Sequence, residues 1–492
     1  MAGSVQAVPG FDLQPSAVQA TLPTNYITNF DFLNQYLPDT YEKEFERYGN
    51  RSIASFLRLV GAELPTNSDM IKWAEQGRLH IKYTQCTAVA TAGAGALLRQ
   101  TFTVGDPNVT ACAYRVGQTV YLSQNTAGGG FAKAIITQVG GPPAGPATPL
   151  TFTVAYYDTA GGTAFGVGDV AIAYVYGSEF MKGTNGMGGS LESEDIFFDN
   201  KPIIIKDRYE VAGSDMAQIG WVEVTSENGA TGFLWYLKSE HDTRLRYEDQ
   251  LEMAMVEGVQ AQNGSGAENV LTTAGTAPAA GTVFAGTEGL FDAIGGFASF
   301  NAGRGNVWSG GNPTALADFD AIIQRLDKQG AIQENVIFLN RQFGFDIDDM
   351  LAAQNSYGAG GTSYGLFDND EEMALNLGFS GFKRGYEFYK TDWKYLNDAT
   401  LRGGLTSGIV NGVMVPAGTT SVYDQVLGKN AKRPFLHVRY RASETEDRRY
   451  KTWITGSAGG ARTSSLDAME VHFLSERALC VMGANNFFLF QD

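Results

Sequence analysis

The pattern of apolar and polar positions is clearest in the middle of the chain, over residues 190–262. Its first part, SLESEDIFFDNKPIIIKDRYEVAGSDMAQIGWVEV, alternates apolar with polar residues, which predicts extended strands. Ile203, Ile204 and Ile205 are β-branched and suit a pleated strand. Pro202 lacks a backbone N–H, so it favours an edge strand over a central one. We therefore expect a strand arm with one free edge.

The second part of this stretch changes from a two-residue period to a helical one. Apolar positions recur at steps of three and four, with one histidine among them: Leu234, Leu237, His241, Leu245, Leu251, Met255 and Val259. This stripe predicts one amphipathic helix over residues 231–262, spanning roughly 45–50 Å at about 1.5 Å per residue. Average helices are about a third of that length. A strand arm leading into such a helix is typical of a scaffold and not of a catalytic cleft.

The preceding region is poor in Lys and Arg. Strand-like runs VGQTVYL, FAKAIITQV, LTFTVAYYD and VAIAYVY alternate there with Gly- and Pro-rich turns. They predict an all-β insertion, a small barrel or sandwich, at about residues 83–182. Residues 1–75 are expected to form an N-terminal arm and short helices, with Asp69 capping a helix over MIKWAEQG.

The C-terminal half mixes helices and short strands. Helices are predicted at 314–330, 343–353 and 371–377, and a buried strand at 336–340. Short strands dominate from residue 385 onward. Because there is no regular alternation of strand and helix, the pattern favours the α+β class over a doubly wound sheet.

Charge and cysteine content narrow the function classes. The net charge of −17 over 492 residues argues against an extended nucleic-acid-binding face, which needs clustered Lys and Arg. Cys86, Cys112 and Cys480 share no close spacing, which argues against a disulfide framework and favours a reducing compartment. No apolar run approaches the roughly 20 residues of a membrane span. The first Lys or Arg is Lys43, so we expect no signal or transit peptide. We expect synthesis in a cytoplasm, with no membrane association.

Candidate chemistry is sparse. The four histidines, His80, His241, His437 and His472, lie outside metal-ligand spacing, and we expect His241 to be packed or interfacial. We expect no nucleophile elbow, and the sequence has no phosphate-binding loop. We therefore predict no catalytic, cofactor-binding or metal-binding residue, no cofactor, and no enzymatic activity. Cys480, in the apolar run ALCVMGA, is expected in a core.

Charged clusters have structural explanations that we favour. One acidic set lies at the start of a predicted helix and consists of Asp346, Asp348 and Asp349. A second set lies at the start of another predicted helix and consists of Asp368, Asp370, Glu371 and Glu372. Capping and solvation are favoured for both over a calcium or magnesium site. In SETEDRRY, Arg448 and Arg449 indicate a charged hairpin tip suited to pairing with a neighbouring subunit.

The order of these elements resembles the major capsid proteins of tailed bacteriophages, which have the Hong Kong 97-like fold. DNKPIIIKDRYEVAGSDMAQIGWVEV resembles the returning strand of that family's extended loop, and residues 231–262 resemble its spine helix. TALADFDAIIQRLDKQGAIQENVIFLN resembles the axial core, and DAMEVHFLSERALCVMGANNFFLF the closing strands. The sequence of the first motif most resembles that of the capsid proteins of crAss-like phages.

The resemblance implies a domain layout. Residues 1–75 would be the arm and short helices, and 76–224 the extended loop carrying the insertion. Residues 225–312 would be the peripheral domain with its spine helix, 313–455 the axial domain, and 456–492 the return to the peripheral domain. Cross-linking through Lys182 or Lys201, known in some relatives, has no identified acceptor here and is not favoured.

The resemblance also implies a function. The chain would assemble into hexamers and pentamers of an icosahedral head, enclosing double-stranded DNA without binding it specifically. Partners would be further copies of the chain, a separate scaffolding protein, a portal and head decoration proteins, and the location would be the virion. Two alternatives stay open: an encapsulin-like compartment shell, and a hydrolase with a β carbohydrate-binding insert.

Overall fold

The computed structural model describes most of the chain beyond residue 61. The described residues are 56–57, 62–92, 99–106, 109, 112–140, 150–158, 165–191, 195–217, 224–225, 231–232, 235–261, 286–295, 303–330, 332–354, 381–424, 429–460 and 462–492. The expected arm, most of the N-terminal short helices and the helix at 371–377 lie outside these residues.

The described strands are, in chain order, β1 (Ala62–Thr66), β2 (Ile71–Gln76), β3 (Lys82–Ala92), β4 (Arg99–Val104), β5 (Gln118–Gln124), β6 (Phe131–Val139), β7 (Leu150–Tyr156), β8 (Val170–Ser178), β9 (Asp195–Asn200), β10 (Ile203–Ala212), β11 (Val224–Thr225), β12 (Thr231–Gly232), β13 (Asn306–Ser309), β14 (Glu334–Leu339), β15 (Gly381–Arg384), β16 (Tyr386–Asp392), β17 (Val410–Pro416), β18 (Thr419–Asp424), β19 (Lys429–Pro434), β20 (Leu436–Arg441), β21 (Lys451–Gly456), β22 (Ala468–Val481) and β23 (Phe488–Gln491). The α-helices are α1 (Gly213–Met216), α2 (Trp235–Glu257), α3 (Leu290–Ile294), α4 (Leu316–Asp327), α5 (Arg341–Gln354) and α6 (Lys394–Asn397). Strands far outnumber helices, and the α+β class is confirmed.

The chain forms two compact units, and the smaller one is a barrel. The smaller unit comprises Ala74–Phe197, and the larger unit comprises Met1–Trp73 and Phe198–Asp492. Six strands close in the order β3-β4-β7-β6-β5-β8. Most of their inward side chains are apolar, and the rings of Phe102 and Phe152 stack inside at 5.5 Å. Closure leaves the barrel strands without a free edge. The barrel occupies the stretch for which the sequence predicts an all-β insertion.

A five-stranded sheet in the larger unit contains the predicted strand arm. Its order is β1-β20-β22-β10, and β21 also pairs with β22. The antiparallel ladder of β10 and β22 runs from Ile203 opposite Arg477 to Ala212 opposite Ala468. Within the described residues β10 has this one partner strand, so the edge position that Pro202 predicts is confirmed.

A six-stranded sheet forms the second layer of the larger unit, in the order β13-β23-β17-β14-β16-β15. Phe319 of α4 and Phe343 of α5 belong to one buried cluster with Phe388 and Phe490 of the sheet. The predicted helices at 314–330 and 343–353 and the strand at 336–340 are confirmed as α4, α5 and β14.

The long helix is shorter than predicted. α2 has 23 residues, and Thr231 and Gly232 instead form β12, which pairs with β11. At the other end, Gly258 N donates to Ala254 O, and Gly289 N donates to Gly258 O. A Cβ on Gly258 would lie 2.6 Å from the carbonyl oxygen of Thr287. This close approach of a neighbouring loop requires glycine and ends the helix.

The predicted apolar stripe is correct only in the C-terminal half of α2. Tyr247, Leu251 and Met255 are buried, whereas Leu237 is 42% exposed. Tyr247 packs on Phe473 of β22 with 5.6 Å between ring centroids, and its hydroxyl donates to Ile205 O at 3.0 Å. Packing against the sheet therefore determines which positions of α2 are buried. The prediction of a buried stripe is wrong for the N-terminal part of the helix.

The helix expected after Asp69 is also wrong. Residues 71–76 form β2, which pairs with β9, and burial alternates along it. Asp69 forms an ion pair with Arg441 and does not cap a helix. The alternation in IKWAEQ was the better local signal. Among the described residues, no helix is long and apolar enough to cross a membrane.

Candidate functional site

A polar cavity of about 750 Å³ lies beside α2 in the larger unit. Its lining comes from α2, the five-stranded sheet, the turn before β21 and one residue near the N-terminus: Glu248, Leu251, Glu252, Glu63, Val438, Arg477, Asp447, Arg449, Tyr450 and Leu57. The lining includes no histidine, cysteine or serine, so it offers no Ser–His or Cys–His pair of nucleophile and base. Four carboxylates and two guanidinium groups dominate its chemistry.

Arg477 is the central cation of this cavity. Its Nη1 lies 3.6 Å from Glu63 Oε1, and its Nη2 donates to the carbonyl oxygen of Arg449 at 3.0 Å. Its Nε donates to Ser475 Oγ at 2.8 Å. Burial lowers the pKa of Arg477, and the nearby Glu63 carboxylate opposes that shift. The buried guanidinium of Arg477 is stabilised by its ion pair and hydrogen bonds, which is a structural role.

The arginines of the charged turn SETEDRRY form ion pairs with carboxylates of the same chain. Arg448 Nε lies 2.7 Å from Glu476 Oε2, and Arg441 Nε lies 3.0 Å from Glu476 Oε1. Arg449 forms an ion pair with Glu63. Each of these arginines thus has a carboxylate partner on β1 or β22 within the chain, and pairing of the turn with a neighbouring subunit stays a prediction.

The histidines lie apart from one another. His437 is buried in β20 with Nδ1 at 3.2 Å from Pro434 O, and burial lowers its pKa to about 4. His472 Nε2 lies 2.7 Å from Thr455 Oγ1, and its ring stacks on Trp453. His241 is half-buried on α2, and His80 is exposed. No group of three potential metal ligands converges anywhere in the described ranges.

The cysteines are free thiols. Cys86 lies inside the barrel and Cys480 within β22, and burial raises the pKa of each to about 12. Thiols held in the protonated form are poor nucleophiles. The expected core position of Cys480 is confirmed, since it is 2% exposed.

The first acidic cluster does not cap a helix. α5 begins earlier than the cluster, and Asn340 caps it by accepting from Phe343 N at 2.8 Å. Asp346 accepts from Asn312 Nδ2 at 2.6 Å, while Asp348 pairs with Lys390 Nζ at 2.5 Å. Asp346 and Asp348 therefore each have a side-chain partner within the chain. The second cluster, residues 368–372, lies outside the described residues.

Asn200 is a structural residue that sequence reasoning missed. It is fully buried at the end of β9, where its side chain bonds to the loop before α3 and to β22. A polar residue directly before Lys201-Pro202 was the only local signal.

No known family model and no curated protein sequence matches the chain. Among solved structures it is similar to one from Microbacterium phage Oxtober96, with 9% identity, 94% of this chain and 99% of that chain covered, and a TM-score of 0.36. A structure titled as the capsid of a native GTA particle has 8% identity, coverages of 95% and 98%, and a TM-score of 0.35. The bacteriophage PhiM1 mature capsid has 10% identity, coverages of 64% and 79%, and a TM-score of 0.31. The structural neighbours thus include phage capsids, and all three TM-scores are low.

Proposed function

We propose that the chain is a major capsid protein with the Hong Kong 97-like arrangement, most like those of crAss-like phages. One observation carries the proposal. The two motifs that resemble the family's extended loop and closing strands, more than 250 residues apart in sequence, form one ladder over ten residue pairs between β10 and β22. α2 packs across that ladder through Tyr247, as a spine helix would.

Within the described part of the chain, β10 pairs along one edge only, and its second edge supports self-assembly. Ile204 is 52% exposed on this edge strand, and exposed apolar side chains at a sheet edge favour association with another chain. In the proposed role, copies of the chain form hexamers and pentamers of an icosahedral head. The domain limits implied by the resemblance belong to the same proposal, with the barrel inserted into the extended loop.

The charge of the chain suits a wall around double-stranded DNA. A net charge of −17 repels phosphates and allows packed DNA to slide and leave. The proposed role is structural and non-enzymatic, in the virion after assembly in the host cytoplasm. A separate scaffolding protein, a portal and decoration proteins complete the proposed partners.

Electron microscopy and sedimentation velocity of the purified chain test this function. We expect closed shells from the wild type. Ile204→Arg should abolish them while leaving the tryptophan-monitored unfolding midpoint unchanged. Leu405→Arg, at a position 48% exposed outside the arm, is the matched control and should still assemble.

A wild-type chain that stays monomeric or dimeric would contradict the shell function and favour a hydrolase. Shells that enclose enzyme cargo, together with coding neighbours that include no portal or terminase, would favour a compartment protein over a phage capsid. Shells formed equally well by Ile204→Arg would remove β10 from the contact.

A further inference from the structure

The outer surface of the barrel carries an unusual density of exposed aromatic side chains. Phe131 is 68% exposed, Tyr174 42% and Tyr176 49%. Water-exposed rings grouped on one surface indicate a binding site, since soluble proteins otherwise keep such patches small. These three residues lie on β6 and β8, on the outward side of strands whose inward residues fill the barrel core.

Tyr121 of β5 joins the exposed rings into a row. Its ring centroid lies 6.2 Å from that of Phe131, with 11° between the planes, and 5.3 Å from that of Tyr174, with 30° between the planes. β5 pairs with both β6 and β8, and Tyr121 lies directly opposite Lys133 on one side and Tyr174 on the other. The row therefore crosses three adjacent strands of a closed barrel and is rigid.

Lys133 adds a polar group at the same place. Its Nζ lies 5.8 Å from the ring centroid of Tyr176, where a cation is attracted to the ring face. The tyrosines also present phenolic hydroxyls, which donate and accept hydrogen bonds. The row thus combines apolar ring surface with hydrogen-bonding groups.

The charge of the barrel unit indicates which class of ligand its aromatic surface can bind. Residues 74–197 contain six Lys and Arg and eight Asp and Glu, a net charge of −2, against −17 for the whole chain. A nucleic acid or an anionic glycan would need clustered cations, and this surface has one lysine. An uncharged ligand rich in hydroxyl and C–H groups is the complementary partner.

We propose that the row Phe131–Tyr121–Tyr174, with Tyr176 and Lys133, is a binding site for neutral polysaccharide. The electron-rich ring faces attract the positively polarised C–H groups of a sugar ring. The phenolic hydroxyls and Lys133 Nζ form hydrogen bonds with the sugar hydroxyls. Several rings along one chain of sugars would give the affinity that a single weak contact does not.

Low-speed sedimentation of the full chain with insoluble polysaccharides tests the proposal. The probes are crystalline cellulose, chitin, curdlan and granular starch, with calcium alginate as the charged comparison. We expect at least one neutral polymer to retain the wild type. Tyr174→Ala and Phe131→Ala should each weaken retention about tenfold, equivalent to the loss of one stacked ring.

The matched control is Val167→Ala, at a position 70% exposed on the barrel but outside the row. It should bind as the wild type does. The proposal is overturned if none of the four neutral polymers retains the chain. Retention on alginate alone, or equal retention of the control and the ring variants, would overturn it as well. Shell formation is read separately by microscopy, so failure here does not bear on the capsid proposal.

Discussion

Asn200 Nδ2 donates a hydrogen bond to the carbonyl oxygen of Leu479 at 2.7 Å, across 279 positions of sequence. The same nitrogen donates to Glu288 O at 2.9 Å. Its Oδ1 accepts from Glu288 N at 2.8 Å and from Thr287 Oγ1 at 3.1 Å. One buried amide therefore holds the end of β9, the loop before α3 and the closing strand β22 in register.

Asn200→Ala should lower the free energy of unfolding by about 3 kcal/mol, because it leaves buried backbone groups of Glu288 and Leu479 without partners. Urea unfolding followed by tryptophan fluorescence measures this, since all six tryptophans lie outside residues 74–197 and report only the larger unit. Asn67→Ala, at an exposed position of the larger unit, is the control and should have no effect. A loss below about 0.5 kcal/mol would show that water replaces the amide.

Phe152→Ala should destabilise the barrel by about 3–5 kcal/mol, because its ring is fully buried and stacks on Phe102. Hydrogen exchange of peptides from β4 and β7 should speed up. The tryptophan-monitored transition should not move, since the barrel is a separate compact unit. A shift of both signals together would mean that the two units unfold cooperatively.

Glu257→Ala should cost about 2–4 kcal/mol. Its carboxylate accepts from Arg402 Nη2 at 2.7 Å and from Tyr395 Oη at 2.6 Å, and the arginine side chain is only 12% exposed. Removal leaves a mostly buried cation without its partner. Asp320→Ala breaks the exposed ion pair with Arg384 and should not change the urea midpoint measurably. Equal losses from the two variants would contradict this ranking.

His437 predicts an acid-sensitive component of stability. Its pKa in the folded chain is lowered to about 4, chiefly by burial and further by Arg439 and Arg433. A base with a depressed pKa contributes full stability above the ordinary value near 6.5, and loses it as pH falls from there toward 4. The loss should approach about 3 kcal/mol.

The measurement is the urea midpoint of wild type and His437→Leu at pH 7.5 and pH 4.5. The variant should lose less stability than the wild type between these values, because it has no imidazole to protonate on unfolding. Identical losses would show that the ring takes up its proton in the folded state without cost.

Some local structure could be predicted because its cause is local. Pro202 cannot donate a backbone hydrogen bond, and β10 is an edge strand accordingly. The helical period around Phe319 and Ile322 matches α4, because those side chains face one buried cluster. The partner of Arg448 within the chain could not be predicted, since Glu476 lies on a strand whose alignment no local pattern reveals.

The sequence by itself determined the element types over β10, α4, α5 and β14, the class, and the acidic charge of the chain. Only the tertiary structure decided where α2 ends and that Tyr247 and not Leu237 is buried. The physical reason is that periodicity reflects which side chains a local backbone conformation directs to the same face. Pairing across hundreds of residues, as between Asn200 and Leu479, depends on which surfaces meet when the chain closes on itself.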